Sequence, residues 1–130
     1  MWFLKEVILG AWPEISRNNW KAGQALRAKY PRSSVSRSYD AAFSALTQKF
    51  AEIRLSFSGR ESPPHRDIPD LVNQAFSSKT HARDIRRSIR ALYEMRLNAD
   101  YSAGLTTDVA SAREAIRYSA IVLRACGVIL

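Results

Sequence analysis

At 130 residues, 46% of them hydrophobic, the chain suits one globular domain over residues 1–130, with a core from about 12 to 127 that needs neither metal nor disulfide. Its single cysteine, Cys126, excludes an internal disulfide and a zinc cluster and suits a reducing, cytoplasmic setting. Twenty Lys and Arg against twelve Asp and Glu give a net charge of +8, which favours a polyanionic partner, nucleic acid and acidic protein alike.

Residues 1–10 are apolar, but Lys5 and Glu6 interrupt them and no small-residue cleavage site follows, so no signal peptide is expected. No run reaches the roughly 20 apolar residues that cross a bilayer, and no membrane association is expected. Pro13 suits a first helical position. Ile15, Asn19, Ala22, Gly23, Leu26 and Tyr30 then make a modest apolar face that Pro31 should end. Ser33 and Ser34 are candidate caps for a second helix, in which Val35, Tyr39, Ala42, Phe43, Leu46, Phe50, Ile53 and Phe57 keep a heptad-like spacing through about six turns.

Gly59, Pro63, Pro64 and Pro69 mark residues 58–69 as a loop, before a short helix that turns Leu71, Val72, Ala75 and Phe76 inward. A fourth helix should run from about Thr80 to Tyr101 and close at Ser102-Ala103-Gly104. Thr106 or Thr107 should cap the last one, whose buried edge is Val109, Ala112, Ile116, Ala120, Leu123 and Gly127. The expected fold is all-α: a four-helix bundle with a short accessory helix in the central crossover.

One position breaks the pattern. Ala82, Ile85, Ile89, Leu92, Arg96 and Ala99 share a stripe, so Arg96 stands where a leucine would seal the bundle. An unpaired buried charge is costly, and Asp100, one turn on, is the expected partner, with Tyr39 or Tyr101 adding a hydroxyl. Asp40, just off the stripe of the second helix, is a further candidate for Arg96 or for a partner's arginine.

Ser36-Arg37-Ser38-Tyr39-Asp40-Ala41-Ala42-Phe43, then His65, then Arg96-Leu97-Asn98-Ala99-Asp100-Tyr101 occur in an order that resembles the HEPN family, from about Trp12 to Arg124. The resemblance implies a helical bundle that dimerises through its arginine-bearing helix and handles RNA. It further implies a metal-independent ribonuclease, often a toxin, and a small nucleotidyltransferase antitoxin as partner. Cleaving members carry an Arg followed four to six residues later by His. Here Asp100 and Tyr101 follow Arg96 and no histidine does, so whether the chain is an enzyme stays open. Histidine is the residue whose pKa suits that chemistry.

The candidate catalytic residues are therefore Arg96, to stabilise the phosphorane charge, with Asp100 and Tyr101 sharing the other roles. Tyr39 and Asp40 are their structural polar partners. Arg60 and His65 are correctly spaced, but Pro63 and Pro64 keep them off a common helical face, which leaves His65 as a loop residue or a helix cap. Arg83, Arg86, Arg87 and Arg90 crowd one face of the fourth helix. They read either as an RNA-binding stripe or as a solvated face, and the absence of acidic residues between Arg86 and Glu94 favours binding. Neither a metal site nor a cofactor is expected. The second functional reading is a non-catalytic module that binds a nucleotidyltransferase partner or a nucleotide.

Overall fold

A computed structural model describes residues 2–55, 63–102 and 106–130, with side chains from residue 13 onward. Every regular element among them is helical: α1 (Trp2–Leu26), α2 (Pro31–Glu52), a 3₁₀ turn (His65–Asp67), α3 (Ile68–Ala75), α4 (Lys79–Tyr101) and α5 (Val109–Ala125). No helix among these residues is long and apolar enough to cross a membrane.

The middle of the structure belongs to α2, which packs against each of the other four helices. Val35, Tyr39, Ala42, Leu46 and Phe50 are fully buried, and Ser34, Ser38, Ser44 and Thr47 are buried with them. A helix surrounded in this way must satisfy its own hydroxyls. Ser38, Ser44 and Thr47 donate to the carbonyls four residues back, and Ser34 donates across to the Gly23 carbonyl of α1 at 2.6 Å. At this crossing a methyl group on Gly23 would come within 3.0 Å of Ser38 Oγ and 3.3 Å of the Ser34 carbonyl, so glycine here serves close helix approach.

Several boundaries differ from the sequence expectation. Pro13 lies inside α1 rather than opening it, and Pro31 starts α2 rather than ending α1. Proline tolerates both a first turn and a kinked interior, so its presence alone does not set direction. Ser33 and Ser34 are consequently helical rather than capping, and Tyr30 takes the cap position without a side-chain bond. In α5 the cap is Asp108, whose carboxylate accepts from Ser111 N–H, not Thr106 or Thr107. Gly127 is exposed, with positive φ just past α5, so it ends the helix instead of joining the buried edge. Phe57, Gly59, Arg60, Ala103 and Gly104 lie outside the described residues.

Leu71 and Val72 are buried as expected, with Ala75 and Phe76 half-buried against the same core. Trp20 packs there too and donates its indole N–H to the Ile116 carbonyl at 3.3 Å. Burial pushes the Cys126 thiol up to about 12, which makes it a packing residue rather than a nucleophile.

Candidate functional site

Tyr39 of α2 and Arg96 of α4 face each other where these two helices pack. The Arg96 guanidinium lies over the Tyr39 ring, 4.9 Å from its centroid, and the side chain is 30% exposed. The arginine seals the edge of the core by stacking on an aromatic face and stays partly exposed there. Its Nε is 3.3 Å from Asp100 Oδ2 and its Nη1 3.6 Å from Asp40 Oδ1, so both carboxylates named from the sequence are paired with it. Ser36 donates to the other oxygen of Asp100. Arg32 caps the end of α4 by donating to the carbonyls of Asn98, Ala99 and Ser102, the first of which also accepts from Ser102 N–H.

His65, read from the sequence as a loop residue or a helix cap, opens the 3₁₀ turn. The 3₁₀ turn carries its imidazole against Tyr39, Phe43 and Tyr93, with ring centroids 5.3, 5.2 and 4.7 Å away. Nδ1 is hydrogen bonded to the Tyr39 hydroxyl, so one tyrosine touches the histidine with its oxygen and the arginine with its ring. The signal available in the sequence was its apolar neighbourhood: Pro63 and Ile68 are buried on either side of it and anchor the turn.

Electrostatics follow from this crowding. Burial pushes the Tyr39 phenol well above its ordinary value, against the pull of Arg96, so it stays protonated. Burial and then the Arg96 charge lower the His65 pKa, keeping the imidazole neutral near pH 7. Burial raises the Asp40 carboxyl despite Arg96 and Arg37.

Two concavities meet this centre. One, of about 600 Å³, is lined by Arg96, Asp100, Asp40, Ser36, Arg37 and Tyr101. Tyr101 stands at its rim, 76% exposed, and among the described residues its hydroxyl bonds neither Arg96 nor Asp100. The other, a groove of about 760 Å³, is lined by Tyr39, His65 and Arg66 and, from α4, by Arg83, Arg86, Arg87, Ile89, Arg90, Tyr93 and Glu94. The arginines are not equivalent. Arg86 donates to Asn73 and ties α3 to α4, whereas Arg83 and Arg90 make only exposed pairs with Asp84 at 3.9 Å and Glu94 at 3.6 Å. Such surface pairs hold their partners weakly.

The family model for the HEPN domain matches residues 14–129. The chain belongs to the HEPN family. No curated protein and no solved structure matches it. As a family, HEPN domains point to roles of the ribonuclease or toxin–antitoxin kind, and the matched span includes all three segments that suggested the resemblance. Within this HEPN domain His65 of the crossover and Arg96 of α4 both contact Tyr39. Among the described residues no cluster of three or more His, Cys, Asp or Glu could hold a metal ion.

Proposed function

We propose that this HEPN protein is a four-helix bundle that acts on RNA as the metal-independent endoribonuclease, and toxin, of a toxin–antitoxin or defence system. We place it in the cytoplasm as a homodimer, with a nucleotidyltransferase antitoxin as its partner. The contact chain Arg96–Tyr39–His65 carries this reading, because it sets a permanent cation and a neutral imidazole on one tyrosine beside a basic groove.

In the tautomer whose Nδ1–H donates to the Tyr39 oxygen, Nε2 of His65 keeps a lone pair and serves as general base. It takes the proton of a ribose 2′-hydroxyl, whose oxygen attacks the adjacent phosphorus. The bond to the 5′ oxygen breaks, that oxygen takes a proton from a water to which the His65 imidazolium returns one, and a 2′,3′-cyclic phosphate and a 5′-hydroxyl result. Arg96 stabilises the extra negative charge of the phosphorane, while Asp40 and Asp100 hold its guanidinium in place. This assigns to His65 the proton transfer first sought in Asp100 and Tyr101.

The test is incubation of the purified protein with total RNA in the presence of a chelator. Cleavage should survive chelation, disappear with His65→Ala, and fall about 10²- to 10³-fold with Arg96→Ala, with both variants still helical by circular dichroism. Absence of cleavage by the wild-type protein, or undiminished cleavage by both variants, would refute it. The second reading, a non-catalytic module for a nucleotidyltransferase or a nucleotide, is favoured by one observation: both carboxylates already engage Arg96. Under that reading the wild type binds partner and leaves RNA intact.

A further inference from the structure

Three residues of α2 grip the end of α4. Arg32, Ser36 and Asp40 stand four residues apart and so share one face of their helix. Along α4 they meet, in turn, the carbonyls of Asn98, Ala99 and Ser102, the carboxylate of Asp100 and the guanidinium of Arg96. Arg32, Ser36, Asp40, Arg96 and Asp100 all line the concavity of about 600 Å³.

The end of α4 needs this help. Its last turn carries no basic residue, yet Asp100 puts a negative charge at the negative end of the helix dipole, where intrahelical hydrogen bonds run out. Arg32 supplies a cation there from the neighbouring helix. Asp100 meanwhile divides its two oxygens. Oδ2 accepts from Arg96 Nε at 3.3 Å, the nearer of that guanidinium's two carboxylate contacts, and Oδ1 accepts from Ser36 Oγ. With one oxygen held by α2, the carboxylate presents the other in a single direction, and the guanidinium plane follows it.

Resting on the ribonuclease reading above, we propose that Ser36 is a positioning residue, which acts through Asp100 to aim Arg96 at the phosphorane. A guanidinium carries five N–H donors, so engaging Nε and Nη1 leaves others for phosphate oxygens. Such contacts demand a fixed plane, and misplacing a group of this kind by about 1 Å costs about 10²-fold in rate. Without Ser36, Asp100 turns about its side-chain bonds at a partly exposed helix end, and Arg96 turns with it. The loss falls on rate rather than on fold, because an exposed polar contact adds little to stability.

Kinetics and NMR of the full chain test this. Ser36→Ala should lower kcat for RNA cleavage about 10-fold with KM unchanged and the thermal midpoint within about 2 °C of wild type. Ser36→Thr, which keeps the hydroxyl, should restore the rate. In an Asp100→Ala background, Ser36→Ala should bring no further loss. The Arg96 Nε–H signal, assigned by its absence in Arg96→Lys, should be resolved near neutral pH in wild type and Ser36→Thr and lost to solvent exchange in Ser36→Ala. A Ser36→Ala variant that keeps this signal or cleaves like wild type overturns the inference, as does a loss that adds to that of Asp100→Ala. Were wild type to leave RNA intact while the Nε–H signal still depended on Ser36, the hold on Arg96 would be supported and the ribonuclease reading alone refuted.

Discussion

His65 and Arg96 show how much a single contact decides. Both lie against Tyr39, and that burial, with a cation nearby, keeps the imidazole neutral at a pH where a free histidine is partly charged. The folded pKa is below the unfolded value of 6.5, so the unfolded chain binds the extra proton first. The stability contributed by neutral His65 is thus complete above about pH 6.5 and is lost as pH falls toward the folded pKa. Thermal melts should therefore show wild type losing more stability than His65→Gln between about pH 7.5 and about pH 5.5, and parallel curves would contradict this assignment. Arg96 and Asp100 were legible as partners because four residues along one helix fix their separation. Asp40 and His65 reach the same centre from α2 and from the crossover, separations that no local period encodes.

At the level of elements, helix content was readable because apolar residues recur with the helical period, and α4 runs from Lys79 to Tyr101 against an expected Thr80 start. Ends were less readable where one residue type serves several positions, as Pro13 and Pro31 do. The α1–α2 crossing offers a direct test. Glycine in a helix ordinarily costs about 1 kcal/mol relative to alanine, so Gly23→Ala would be stabilising on propensity alone. Here the new methyl meets the buried Ser38 hydroxyl and the Ser34 carbonyl, and the helices cannot part without breaking the 2.6 Å bond from Ser34 to Gly23. Gly23→Ala should therefore be destabilising by about 1–2 kcal/mol in chemical denaturation, and removing the nearest obstacle in Gly23→Ala with Ser38→Ala should recover part of it. A stabilised single variant would mean that the crossing is looser than described.

For the whole molecule, α2 supplies the common surface on which α1, α3, α4 and α5 assemble, and Phe50 is among its largest fully buried side chains. Phe50→Ala should cost about 3–5 kcal/mol of unfolding free energy, measured by denaturant titration, because removal of a ring from a packed core leaves a cavity that the surroundings only partly fill. A loss below about 1 kcal/mol would show that this end of α2 is not core. The sequence by itself determined the helices, the basic face of α4, the net charge and the pairing of Arg96 with Asp100, since all of these depend on composition or on neighbours one helical turn apart. Only tertiary structure decided that α2 is enclosed, that Arg86 is taken by Asn73, and that Tyr39 joins His65 to Arg96. Those outcomes depend on how helices distant in the chain register against one another, and that register follows from the packing of all of them at once.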